Sequence, residues 1–271
     1  MSLPKTQALL SLMSRLRDPE KGCAWDIKQD FHSLIPYTIE EAYEVADAIE
    51  RGDLDDLRGE LGDLLLQVVF HSQIAEERGL FNFEQVATGI ADKLVRRHPH
   101  VFADVRFDTD EQRQRAWDDA KAAERQAKPQ AEASASVLAG VAQSLPALVQ
   151  CEKIQNRAAS HGFDWPEPQP VFDKVKEELL EVHEAWQAGD QPHIHEEVGD
   201  LLLVVVNLAR HLKVNPEIAL RDATKKFTRR FNFIEKQVEA SGRVLRDCSL
   251  DELDGLWLDA KVVEKNQGAK S

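Results

Sequence analysis

Apolar residues recur along this chain at the spacing of helices. Leu9, Leu12, Met13 and Leu16 mark one face of a first helix over 3–17, which Asp18-Pro19 closes. Phe172, Val175, Leu179, Val182 and Trp186 form a longer stripe, and two more run through Leu57, Leu61, Leu64, Val68 and through Ile194, Val198, Leu201, Val205, Leu208, Leu212. Such heptad-like stripes predict the core of a helix bundle. Their breadth, with Leu64-Leu65-Leu66 and Leu201-Leu202-Leu203 in register, predicts more than one partner helix. No stretch alternates apolar and polar residues long enough for a sheet, so the pattern predicts an all-α fold.

The stripes break at Gly52-Asp53 and Gly189-Asp190, a helix-stopping glycine followed by a helix-starting aspartate. Each break predicts a helical hairpin, and the hairpins are copies. Glu40, Glu41, Glu44, Glu60 and Asp63 return as Glu177, Glu178, Glu181, Glu197 and Asp200, each 137 positions later. Glu44 and Glu60 lie eight residues either side of Gly52, and Glu41 and Asp63 eleven; the second copy repeats these distances about Gly189. At about 1.5 Å per residue, antiparallel helices then bring four carboxylates to one level, roughly 12–17 Å from the turn. Each pair three residues apart shares a helix face.

Unpaired like charges at one level are unfavourable by several kcal/mol or become protonated, so the layer calls for a cation. Oxygen ligands without His or Cys point to Mg²⁺, with Mn²⁺ as the alternative, rather than zinc. Gly62 and Gly199, inside the second helix of each hairpin, predict a ligand or neighbouring helix close by. Thr38-x-x-Glu41 also reads as a capping box. The matching position in the second copy is Val175, inside a running apolar stripe, so capping does not account for Glu178.

After each hairpin comes a basic pair four residues apart, Lys93 and Arg97 and then Lys226 and Arg230. Farther on, Trp117 and Lys121, then Trp257 and Lys261, repeat the same spacing. The cations suit phosphate oxygens and the indole suits a base. An aromatic and an aspartate also recur before each hairpin, in Cys23-Ala24-Trp25-Asp26 and Gly162-Phe163-Asp164-Trp165, as a substrate contact or a packed loop anchor. The repeat predicts two domains, 1–125 and 144–271, joined by an Ala-, Gln- and Ser-rich linker over 126–143.

With 34 basic and 48 acidic residues the net charge is −14, which disfavours nucleic acid as a partner and suits acidic sites completed by cations. Three cysteines, Cys23, Cys151 and Cys248, without Cys-x-x-Cys spacing, suggest a reduced compartment. No apolar run nears the roughly 18 residues of a membrane span, and the amino terminus lacks a cleavable apolar core. A cytoplasmic protein is expected. Acidic helical quartets also build di-iron bundles, but those use Glu-x-x-His, and none of the nine histidines has a glutamate three residues earlier.

Glu177-Glu178-x-x-Glu181 followed by Glu197-x-x-Asp200, then Lys226/Arg230 and Trp257/Lys261, resembles the MazG nucleoside triphosphate pyrophosphohydrolases in their long, two-repeat bacterial form. Arg96-Arg97-His98-Pro99-His100-Val101-Phe102 resembles that form's first repeat. The resemblance implies two tandem repeats of an all-α NTP pyrophosphatase bundle, a homodimer, and Mg²⁺-dependent hydrolysis of a (d)NTP to the NMP and pyrophosphate. By position, Glu178, Glu181, Glu197 and Asp200 would bind metal, Lys226 and Arg230 the triphosphate, and Trp257 with Lys261 the nucleotide. Glu177 or a metal-bound carboxylate such as Glu178 would orient the attacking water. The carboxy-terminal repeat would be the main active one, although the first keeps Glu41, Glu44, Glu60, Asp63, Lys93, Arg97, Trp117 and Lys121. A nucleotide sensor without turnover, or a narrower dUTP- or dCTP-type diphosphatase, would carry similar motifs.

Overall fold

The computed structural model describes residues 4–103, 105–126 and 136–268, and every regular element among them is helical. The chain divides into two units, Met1–Pro129 and Gln130–Ser271. The expected linker falls, at 127–135, outside the described residues. Farther on, Arg157 donates to the carbonyl oxygens of Leu138, Ala139 and Gly140, and Val141 is buried.

The first unit comprises α1 (Pro4–Leu16), α2 (Ala24–Lys28), α3 (Ile35–Arg51), α4 (Leu54–Glu77), α5 (Phe83–Arg97), α6 (Pro99–Phe102) and α7 (Asp110–Gln126). Its core is Met13, Leu34, Val69, Phe70 and Ile74, ringed by Leu9, Leu10, Phe31, Leu66 and Phe83. It lies where α1 and the start of α5 meet the second half of α4, beyond the acidic part of the hairpin. Arg17 closes this end, donating to Glu77 at the end of α4 and to the carbonyls of Asp26 and Gln29 around α2.

The second unit comprises α8 (Ala147–Ala159), α9 (Pro168–Ala188), α10 (Gln191–His211), α11 (Pro216–Ala240), a 3₁₀ turn (Leu245–Asp247) and α12 (Leu250–Gly268). Here α9 pairs with α10, α8 packs on α10 and α11, and α12 returns along α11. Val171, Ala185, Val204, Val206, Ile234, Val238 and Ala260 are buried.

Both hairpin turns form as the residue types demand. Gly52 takes φ 69° and Gly189 φ 70°. Gly52 and Asp53 donate their N–H groups to Ile49 and Ala48, and Gly189 and Asp190 to Trp186 and Ala185. This pair of bonds satisfies carbonyls that a helix end otherwise leaves open, and the left-handed residue it requires is cheapest as glycine. Asp53 then accepts from Asp56 N–H and Asp190 from His193 N–H, starting the next helix. Ala48 and Ala185, buried at matching positions, let the helices close at the turn.

Two expectations change. Thr38 caps nothing: α3 begins at Ile35 with Pro36 in its first turn, and the Thr38 hydroxyl bonds back to Leu34 carbonyl and to His71. Proline's preset φ starts the helix a turn earlier than the threonine motif implied. At Gly62 and Gly199 an added Cβ would meet nothing within 4 Å, so among the described residues no helix makes the close approach expected there. The stripes are nevertheless wider than the chain covers: Leu61, Leu65, Leu202 and Leu203 remain about half exposed. Among the described residues no helix is long and apolar enough to cross a membrane.

Candidate active site

Helix spacing puts the acids on facing sides of each hairpin, and the glycine turn sets their level. In the first, ligand oxygens of Glu41, Glu60 and Asp63 lie within 4.8 Å of one another; in the second, those of Glu178, Glu197 and Asp200 do. Glu44 and Glu181 are outside these sets. Burial, then the charges of Asp63, Glu44 and Glu60, hold the Glu41 carboxyl above its ordinary pKa. Glu60 is raised by burial and by Glu44, Asp56 and Asp63, against a weaker pull from Arg51. Glu181 is raised by burial and then by Glu178, with Lys174 opposing. Three carboxylate oxygens this close fit a hard divalent cation of the Mg²⁺ or Mn²⁺ kind, which would relieve the repulsion.

The second layer also contains cationic and imidazole groups that the helix-by-helix reading overlooked. Lys174 Nζ lies 2.7 Å from Glu178 Oε1 and 2.6 Å from Glu177 Oε1, and its pKa is raised by both carboxylates. Glu178 is buried, whereas Glu177 is exposed. His193 Nε2 sits 2.8 Å from Glu197 Oε1. These contacts span three or four residues of one helix, so their spacing was a readable signal.

The basic and aromatic residues form a second constellation in each unit. Arg97 stacks over Trp117, 5.2 Å to the ring centroid, while Lys121 Nζ lies 5.3 Å from the same ring. Arg230 stacks over Trp257 at 5.3 Å. Each arginine is also ion-paired: Arg97 Nη2 to Glu124 Oε2 at 2.5 Å, Arg230 Nε to Glu264 Oε2 at 2.8 Å. The hydrogen bond from its arginine holds each glutamate below the ordinary carboxylate range, against partial burial. Glu124 and Glu264 went unrecognised in the sequence, though each follows its tryptophan by seven residues, hence on one face. Lys93 is half-buried and helps hold Glu124 low; Lys226 and Lys261 are exposed.

The tryptophans differ in their other neighbours. In the second unit α11 runs on past Arg230, and Phe227 packs 5.2 Å from Trp257 and stacks on Phe231. In the first, Pro99 ends the helix line, α6 turns, and His98 meets Trp117 edge-on at 4.9 Å. A cavity of about 350 Å³ lined by His98, His100, Arg113 and Trp117 opens there.

In the second unit the loop aspartate is an anchor. Arg210 donates to both Asp164 oxygens, one at 2.9 Å, and His211 Nε2 lies 3.0 Å away. Burial disfavours the Asp164 charge, and the bonds from Arg210 and His211 outweigh it, leaving the carboxyl below its ordinary range. In the first unit Trp25 packs edge-on against Tyr37 and Phe70, while Phe163 is 85% exposed.

Fold and sites together define a tandem-repeat helical protein with a duplicated carboxylate layer that could hold a cation and, in each repeat, an arginine-stacked tryptophan. The chain belongs to the MazG nucleotide pyrophosphohydrolase domain family, whose model matches it twice, at residues 29–102 and 167–238. Both matches enclose the acid layer and the basic pair and end before the tryptophan. The chain is 51% identical over 258 residues to the nucleoside triphosphate pyrophosphohydrolase of Escherichia coli K12, covering 94% of this chain and 97% of that one. It is 46% identical over 255 residues to the nucleoside triphosphate pyrophosphohydrolase/pyrophosphatase MazG of Thermotoga maritima, covering 94% and 95%. A nucleoside triphosphate pyrophosphohydrolase of Mycolicibacterium smegmatis is 38% identical over 156 residues, 57% of this chain and 46% of that one.

Proposed function

We propose that this chain hydrolyses nucleoside and deoxynucleoside triphosphates between the α and β phosphates, giving the monophosphate and pyrophosphate, with Mg²⁺ as cofactor. The observation that carries the reading is the convergence of Glu178, Glu197 and Asp200 oxygens within 4.8 Å, repeated at Glu41, Glu60 and Asp63. Relatives of that name align with nearly the whole chain.

Glu178, Glu181, Glu197 and Asp200 hold the cation in the carboxy-terminal repeat, and Glu41, Glu44, Glu60 and Asp63 in the first. Mg²⁺ supplies the positive charge that anhydride cleavage needs on its leaving group and makes water a better nucleophile. Glu177, exposed beside Glu178, orients the water that attacks the α-phosphorus. Lys226 and Arg230 hold the outer phosphates, and Trp257 and Lys261 the nucleoside; Lys93, Arg97, Trp117 and Lys121 correspond in the first repeat. Arg230 keeps its place on the indole while exchanging Glu264 for a phosphate oxygen.

The repeats occupy 1–125 and 144–271 with a linker between, and the protein works as a cytoplasmic homodimer that binds neither membrane nor nucleic acid. Half-exposed leucines along the hairpins support the dimer, since a second chain would bury them.

The test is product analysis with a panel of NTPs and dNTPs, with and without Mg²⁺, on the intact protein, Glu178→Ala and Glu41→Ala. Loss of monophosphate and pyrophosphate with Glu178→Ala alone makes the carboxy-terminal repeat the enzyme. Partial loss with each variant means two working sites. Binding without turnover in the intact protein makes it a nucleotide sensor. In ¹⁸O-water, label confined to pyrophosphate rules out attack at the α-phosphorus.

A further inference from the structure

The two acid layers carry the same ligands but are compensated differently. In the second, the Lys174 ammonium touches Glu178 at 2.7 Å and Glu177 at 2.6 Å, and His193 touches Glu197 at 2.8 Å. The positions 137 earlier are Tyr37 and Asp56. Neither supplies a positive charge there. Tyr37 packs against Trp25, and Asp56 is one more anion, ion-paired with Arg51. The second layer thus has a counter-ion from its own helix, while the first has none from the matching positions.

Lys174 engages one oxygen of the Glu178 carboxylate, so a divalent cation held by that carboxylate would lie within a few ångströms of the ammonium. Two cations within a few ångströms of one another repel strongly in a partly buried site. The lysine must therefore leave, and it can: its side chain is one-third exposed, on a flexible four-carbon stem one turn before Glu178. Once displaced, the acceptor that best replaces two carboxylates is a polyanion arriving with the metal. We infer that Lys174 is an exchangeable counter-ion that makes cation entry into the second layer depend on triphosphate entry, whereas the first layer takes a divalent cation alone. This rests on reading both layers as metal sites.

Mn²⁺ binding to the full chain, followed by electron paramagnetic resonance or calorimetry without nucleotide, tests the inference. Glu41→Gln isolates the second layer and Asp200→Asn the first. The intact ligands should bind Mn²⁺ about tenfold or more tightly at the first layer than at the second. Adding Lys174→Met should tighten the second layer about tenfold, and Tyr37→Lys should weaken the first by a similar factor. A non-hydrolysable triphosphate should tighten Mn²⁺ binding at the second layer more when Lys174 is present than in Lys174→Met. Circular dichroism checks that each variant is folded. Unchanged or weaker Mn²⁺ binding in folded Lys174→Met overturns the role of the lysine and leaves the metal reading standing. No Mn²⁺ binding at either layer in any of the proteins overturns both.

Discussion

Replacing Gly62 or Gly199 by alanine probes the acidic hairpins without touching a ligand. Each glycine sits inside a helix, between Glu60 and Asp63 or between Glu197 and Asp200, and a Cβ there meets nothing within 4 Å. With no clash to offset it, alanine gains the helix-interior difference of roughly 1 kcal/mol. The sites belong to separate units, so the double variant gains about 2 kcal/mol. For a unit of this size, 1 kcal/mol corresponds to an increase of roughly 3–5 °C in unfolding temperature. Thermal unfolding by circular dichroism, without metal or nucleotide, measures it. A fall in unfolding temperature refutes the reasoning, because something, a second chain included, would then have to press on the glycine. A rise in stability accompanied by lost turnover would place the nucleotide against that stretch of helix.

Three further outcomes follow from the ion pairs and shifted carboxyls. Asp164→Ala strands Arg210 and His211, whose side chains are only 13% and 10% exposed, and should destabilise the second unit by about 2–4 kcal/mol in denaturant melts; a cost below about 0.5 would show the anchor to be idle. Glu252 is held down to about 2 by hydrogen bonds from Arg243 and the Ser249 backbone. Its folded pKa lies below the unfolded one, so any stability it gives is present above the unfolded pKa and lost as pH falls toward about 2, and an NMR titration should find that midpoint rather than an ordinary one. At the first layer the signs reverse: Glu41 and Glu60 are raised, so without metal they weaken the folded state as pH rises through their folded pKa values. Protons there compete with the cation, so as pH is lowered Mn²⁺ affinity should begin to fall while pH is still above the ordinary carboxylate range; a pH-independent affinity would contradict the layer's repulsion.

Much of this was readable along the chain because it is local. A helix repeats every 3.6 residues and a left-handed cap favours glycine, so Gly52-Asp53 and Gly189-Asp190 located both turns. Counting outward from them placed Glu41, Glu60 and Asp63 opposite one another, and the 137-residue offset disclosed the second copy. The pairing of Trp117 with Lys121 was local in the same way. Thr38 was misread for an equally local reason, since proline two residues earlier competed for the helix start and won.

Spacing could not rank the four acids of a layer. Their distances from the turn are symmetric, but whether Glu44 joins Glu41, Glu60 and Asp63 depends on how each helix is rotated about its axis and on side-chain rotamers, which packing settles. The same holds for the charges that complete the sites. Glu124 and Glu264 became partners of Arg97 and Arg230 only when α7 and α12 returned against α5 and α11. Gly62 and Gly199 proved open because, among the described residues, no helix reaches that face. Periodicity along one helix says which residues share a side; which side meets which neighbour is a property of the assembled bundle, where burial and charge act across the chain.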